Sequence, residues 1–205
     1  MNQSEPSSSP EGGGWPNTCL DVLAALNSLG DGTLPPELAA RLDLSKVHIC
    51  GHSAGGHLAL WLAAVSRLPA TSREPLAAAV GAVAGEAAAG VMRAGVSPGV
   101  GVLGVIAIAP VASLSDAAAQ GLSDFHDAPI AFLWRTGSSA KAARAALSAA
   151  CPTELWPNMP RIPLSQPPLR TLVIGGVKDV DVRLAHPERP AAHASVLMLR
   201  ERRTH

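Results

Sequence analysis

Ser53 stands between two glycines in the run Lys46-Val47-His48-Ile49-Cys50-Gly51-His52-Ser53-Ala54-Gly55-Gly56-His57-Leu58. The G-x-S-x-G spacing is that of a nucleophile elbow, a serine carried on a sharp corner between a strand and a helix. The chemistry such a corner permits is attack on a carbonyl carbon. The hydroxyl protrudes from the backbone, and the N–H of the next residue, here Ala54, is aimed at the oxyanion that develops. Gly51 and Gly55 leave room for the corner. The plain alternative is a serine that merely caps the helix after a glycine-containing loop. It does not explain a glycine on each side together with an apolar run before them.

The elements that must position this serine are legible around it. Val47 to Cys50 is short, apolar and rich in β-branched residues, which suits a buried parallel strand, and Leu58, Trp61, Leu62 and Val65 form one helical stripe after it. Upstream, Thr18-Cys19-Leu20-Asp21 has the form of a capping box opening a helix with Leu20, Leu23, Leu26 and Leu29 near one face, ended by Gly30. A Pro-containing connection follows over 31–45. The elbow helix is expected to end near Leu68. Residues 69–101 are rich in Ala, Gly and Val without a clear strand or turn pattern, and are read as an insertion, a variable surface excursion or a partly helical flap. Val102 to Val111 predicts a second parallel strand, Ser115 to Gly121 the start of a helix, Ala140 to Ala150 a further helix, Thr171 to Ile174 a strand and Ser195 to Leu199 the last strand. This alternation predicts an α/β fold, a mostly parallel sheet of about four strands with helices on both faces.

The stretch Gly51-His52-Ser53-Ala54-Gly55-Gly56-His57-Leu58-Ala59-Leu60-Trp61-Leu62-Ala63 resembles the elbow of α/β-hydrolases, in particular the esterase and kynurenine-formamidase-like branch. Gly12-Gly13-Gly14-Trp15-Pro16, followed by a helix containing Asp21, resembles that family's segment before the helix preceding the elbow. Ala109-Pro110-Val111-Ala112 and Cys151-Pro152-Thr153-Glu154-Leu155 resemble later family segments. The resemblance runs from about Gly12 to about Val182. It implies a partial α/β-hydrolase domain over 12–205, with the 69–101 insertion and a disordered start over 1–11. It implies hydrolysis of small carboxylic esters through an acyl-enzyme on Ser53, with N-formyl amides as the other substrate option and no cofactor.

The family's acid lies in a His-Gly-x-x-Asp pattern after a later strand. Gly175-Gly176-Val177-Lys178-Asp179 matches it with Gly in place of His, which points to Asp179, with Asp181 as the alternative. A serine is nearly inert until an imidazole accepts its proton. The family carries that histidine after the last strand, where His205 is the positional match. His186 and His193 fall in a Pro-interrupted stretch and are poorer matches, while His52 and His57 belong to the elbow's own pattern and are assigned to packing or helix hydrogen bonding. His48 and His126 suggest no ligand set, so no metal site is expected.

The family's early His-Gly-Gly loop and its first four strands have no counterpart here. The elbow strand is therefore expected to be an exposed sheet edge, an aggregation hazard unless a partner protein pairs with it. A catalytically silent truncated hydrolase, serving as an interaction domain, is the competing expectation.

Composition narrows the classes further. With 205 residues, 47% hydrophobic and 16% charged, the chain has the composition of one globular domain. Its formal net charge of zero gives no electrostatic reason to expect nucleic acid or a membrane surface as partner. The uncharged stretch Ala94 to Ser115 is too rich in Gly and Pro for a membrane span. Three cysteines without C-x-x-C spacing argue against a disulfide framework or a zinc knuckle, and a reducing cytoplasm is expected.

Overall fold

The apolar run before Ser53 becomes β1, Val47–His52, and the stripe after it becomes α3, Ala54–Arg67. The computed structural model describes residues 13–119, 132, 140–156, 169–176 and 194–200. Ahead of β1 lie α1 (Asn17–Asn27), a short α2 (Pro36–Ala39) and a 3-10 turn at Leu44–Lys46. Beyond α3 come α4 (Ala70–Ala84), α5 (Glu86–Ala94), β2 (Val102–Ile108), α6 (Leu114–Ala119), α7 (Ala140–Ala150), α8 (Pro152–Leu155), β3 (Arg170–Gly176) and β4 (Ala194–Arg200).

The fold is α/β. The sheet has the order β1-β2-β3-β4. Its first three strands are parallel, with Ile49 beside Val105 and Ile108 beside Ile174. β4 runs antiparallel to β3, pairing Gly176 with Ala194 and Arg170 with Arg200. The parallel part thus has three strands, and the last strand of the expected four reverses direction.

The strand alternation explains which residues are covered. Ile49, Val105, Ala107, Thr171 and Val173 lie on the face under α3, where all but the half-buried Ile49 are buried. The opposite face carries His48, Cys50 and His52, all exposed, beside the half-buried Ile106, Leu172 and Ile174 and the exposed Ile108. Among the described residues β1 has a neighbour on one side only, which makes it an edge, as the resemblance implied, and not the buried central strand that its apolar run alone suggests.

α3 lies along β1 and β2, and α1 packs on α3 with its Cys19, Leu23 and Leu26 buried. Trp15 and Trp61 meet edge to face in this core, with centroids 6.4 Å apart and ring planes at 77°. The expected capping box does not form. The helix already begins at Asn17, without a side-chain cap, and the Thr18 hydroxyl accepts instead from the Gly14 N–H at 2.8 Å. A start two residues earlier leaves Thr18 inside the helix rather than at its mouth.

Residues 69–101 are not a surface excursion. α4 and α5 form a helical hairpin whose Leu76, Ala77, Val80, Ala89 and Met92 join the main core. Arg73 fastens its ends by donating to the carbonyls of Leu68 and Arg93, and Arg93 pairs with Glu74 and Glu86. Alanine is the best helix former and its small side chain lets the two helices lie close, yet it gives almost no polar-to-apolar contrast from which to read the helix period.

This core role is testable. Met92 is fully buried and Val91 is 42% exposed. Met92→Ala is expected to cost about 2–5 kcal/mol in chemical denaturation, whereas Val91→Ala on the same helix changes stability by less than about 0.5 kcal/mol. Equal effects at the two positions would return the hairpin to the surface.

Candidate active site at the strand-to-helix corner

β1 must turn into α3 within one residue, and the backbone shows how. Ser53 has φ 54° and ψ −120°, one of two non-glycine residues with positive φ among those described, the other being Ala109 at the end of β2. Such a conformation costs about 1–3 kcal/mol and persists only where its surroundings over-determine it. The Ser53 N–H still donates to the Ile108 carbonyl at 2.9 Å, continuing the β1–β2 ladder, while its own carbonyl already accepts the first bond of α3 from the His57 N–H at 3.1 Å. The residue therefore belongs to the strand on one side and to the helix on the other.

The glycines around it act differently from what the motif suggests. A Cβ on Gly51 would fall 2.0 Å from the Gly55 carbonyl oxygen and 2.8 Å from the Gly56 nitrogen. A Cβ on Gly56 would fall 2.9 Å from Cβ of Pro110 and 3.2 Å from the Gly51 carbonyl oxygen. At Gly55 it would meet nothing within 4 Å. The corner thus requires Gly51 and Gly56, not the expected pair Gly51 and Gly55. The second constraint comes from the chain after β2, where Pro110 presses on the first turn of α3. The doubled Gly55-Gly56 is visible in the sequence, but nothing local distinguishes which of the two the fold requires.

Chemically, the corner presents half-buried Ser53 beside N–H donors that the helix itself does not use. The Ser53 side chain does not cap α3, which disposes of the capping explanation. The N–H groups of Ala54, Gly55 and Gly56 lie in the first turn, ahead of the first intrahelical bond, at the positive end of the helix dipole. Ala54 is exposed, as a proposed oxyanion donor must be. Ser53 also sits beyond the carboxyl ends of three parallel strands, the end of an open α/β sheet where ligands bind.

The histidines of the elbow separate into two kinds. His52 is exposed at the end of β1. His57 is buried, with Nδ1 2.8 Å from the Val111 carbonyl and its ring edge to face with Phe132 at 5.6 Å. Nδ1 donates there, since a carbonyl only accepts, and Nε2 makes no geometrically formed hydrogen bond among the described residues. Burial pushes the His57 imidazole below its ordinary pKa, against the opposing pull of the Val111 and Ala150 carbonyls, so the ring is neutral. Its role is to tie α3 to the segment after β2. Trp61 does the same toward α7, donating from Nε1 to the Ala149 carbonyl at 2.8 Å.

Asp179, Asp181, His186, His193 and His205 lie outside the described residues, as does His126. Their flanking anchors are described. Gly176 and Ala194, the ends from which 177–193 departs and returns, pair with each other at the Ser53 end of the sheet. Arg200 pairs with Arg170 at the opposite end. Among the described residues no three His, Cys, Asp or Glu side chains are grouped to hold a metal ion, and no helix is long and apolar enough to cross a membrane.

Two measurements probe the corner. Ser53→Gly is expected to be more stable than Ser53→Ala by about 1 kcal/mol in urea denaturation, because glycine adopts positive φ without strain; equal stabilities would mean that the corner is unstrained. For His57, the unfolded chain binds a proton near the ordinary imidazole pKa of about 6.5, and the folded chain does not. Stability should therefore fall as pH drops below that value, by up to about 1.4 kcal/mol per pH unit until the folded pKa is reached. His57→Asn, which keeps a donor near Val111, should flatten the dependence of the denaturation midpoint between pH 7.5 and 5.5. An unchanged slope would remove His57 as its source. Searches with this chain return no matching family model, no matching curated protein and no matching solved structure.

Proposed function

We propose that this chain is a serine hydrolase whose nucleophile is Ser53, acting on small carboxylic esters through an acyl-enzyme. The observation that carries the reading is the conformation of Ser53: a non-glycine residue held at positive φ on a strand-to-helix corner, with its hydroxyl free of capping duty. Strain of this kind is a reason to look for function, since it raises the energy of the fold and nothing in the packing requires a serine there. The resemblance to the α/β-hydrolase elbow, in the esterase and kynurenine-formamidase-like branch, supports the same chemistry. N-formyl amides are the second substrate option, because the attack on the carbonyl is identical and only the leaving group differs.

In this mechanism the Ser53 hydroxyl adds to the ester carbonyl as a base takes its proton. The tetrahedral oxyanion is stabilised by the Ala54 N–H and the dipole of α3, and the alcohol leaves with the proton returned by the base. Water then hydrolyses the acyl-enzyme by the same route. Asp179 is the proposed acid, with Asp181 as the alternative. For the base, the antiparallel course of β4 supports His186 and His193 ahead of the positional match, His205. Arg200 ends at the far side of the sheet, and five more residues, even fully extended, reach at most about 18 Å. The six steps from Arg200 back to Ala194 along β4 alone span about 20 Å. His186 and His193 belong to the connection that leaves and rejoins the sheet at the Ser53 end, so they precede His205 as candidates.

A silent interaction domain is the second reading, and the free edge of β1 favours it. A fluorophosphonate separates the two. Intact mass of the purified chain should show one adduct, absent from Ser53→Ala. Labelling should slow at least a hundredfold in His186→Ala or His193→Ala and remain unchanged in His205→Ala. No adduct on the folded wild-type chain would sink the hydrolase reading, and loss in His205→Ala alone would restore the terminal histidine as base.

A further inference from the structure

The outer edge of β1 has a feature that the hydrolase reading leaves unused. The Val47 N–H donates to the Gly101 carbonyl at 2.8 Å and the Ser53 N–H to the Ile108 carbonyl at 2.9 Å, both toward β2. Backbone groups alternate sides along a strand, so Ile49 and Gly51 also face β2. His48, Cys50 and His52 direct their N–H and C=O groups away from the sheet. No described residue pairs with them there, and the side chains of the same three residues are exposed.

Free edges of natural sheets are usually guarded by a lysine, a proline or a bulge. β1 contains neither lysine nor proline. The register irregularity between Val47 and His48 places its extra residue, Leu103, in β2 and leaves the outer edge of β1 regular.

We infer that β1 pairs with β1 of a second copy of this chain, antiparallel, about a two-fold axis at Cys50. The register follows from the backbone. Centred on Cys50, all three outward residues find partners: His48 with His52 of the second copy, Cys50 with Cys50, and His52 with His48. At two bonds per pair this makes about six backbone hydrogen bonds. Centring on Ile49 or on Gly51 leaves one outward residue of each copy unpaired and makes about four. The side chains agree with the same axis. The outward positions read His, Cys, His in either direction, so the two-fold places like shapes opposite one another, puts the smallest at the centre and brings no lysine, arginine, aspartate or glutamate together. That self-complementarity is what an isologous interface needs, and it is why a second copy fits better here than an unrelated peptide. The inference is independent of whether Ser53 is catalytic.

A single strand pair is a small interface, so association should be weak and concentration-dependent. Sedimentation equilibrium under reducing conditions should show a reversible monomer–dimer system with dissociation constant on the order of 1–100 μM. Cys50 is the exposed cysteine, since Cys19 and Cys151 are buried. Across a hydrogen-bonded antiparallel pair the Cα atoms stand about 5.5 Å apart, within the span of a short thiol-to-thiol cross-linker. A short bis-maleimide should therefore give a covalent dimer, lost in Cys50→Ser, while Cys50→Ser keeps the reversible dimer. Cys50→Lys sets like charges face to face without touching a β1–β2 bond, and Cys50→Pro removes an outward N–H. Each should raise the dissociation constant at least tenfold with an unchanged circular dichroism spectrum. A chain that stays monomeric at several hundred micromolar, or a dimer indifferent to Cys50→Lys and not cross-linked through Cys50, would overturn the proposal.

Discussion

The backbone of β1 at Gly51 and that of α3 at Gly55 and Gly56 approach so closely that no side chain fits between them, and the placement of Ser53 follows from this contact. A strand that ends against the first turn of the next helix has to reverse its course in one residue. That residue takes a conformation suited to glycine, and here it is a serine. The cost is met by the elements on each side. β1 is held to β2 by its ladder, and α3 is held from beyond by Pro110 against Gly56, by His57 on Val111 and by Trp61 on Ala149. Remove the close approach and the serine would relax into an ordinary N-cap.

Those restraints come from three separate parts of the chain. The segment after β2 supplies Pro110 and Val111, the end of α7 supplies Ala149, and the Trp15 region supplies an aromatic edge against Trp61. Each uses a backbone carbonyl or an apolar ring rather than an ion pair. The pairs of Asp43 with Lys46 and of Arg93 with its two glutamates sit on the surface away from the corner. The restraints described on α3 are packing and neutral hydrogen bonds, which are insensitive to salt. The protonation of His57 is the exception that ties them to pH.

Much of this was legible in the residue order. The strand and helix around Ser53, the helix with Leu23 and Leu26, and the strands beginning at Val102 and near Thr171 all follow from period and motif, whereas the edge position of β1 was an implication of the family resemblance. Three things were hidden, each for a physical reason. The α4–α5 hairpin is built from alanine and glycine, whose side chains carry too little contrast to mark a face. The direction of β4 leaves no trace in an alternating pattern, which reads the same parallel or antiparallel. The constraint on Gly56 comes from Pro110, a contact made by folding across more than fifty residues, so no local spacing could announce it. The serine was visible because its requirements are local, and its base was not because they are global.

The alanines of this core set what substitutions the fold can accept. Ala59, Ala63 and Ala64 on α3, Ala77 on α4, Ala89 on α5, Ala107 on β2 and Ala146, Ala149 and Ala150 on α7 are all buried. A core filled by large side chains fails mainly by losing methylenes, leaving cavities. The alanine positions have little to lose in that way and no room to gain, so their vulnerability lies in enlargement, where each added carbon must push whole helices apart. Sequence drift at these positions is bounded from above in side-chain volume. They should change through exchanges among Ala, Gly and Ser, while helix exteriors vary freely. Two chains of this fold could then differ at most outward positions and still stack their helices at the same short distances.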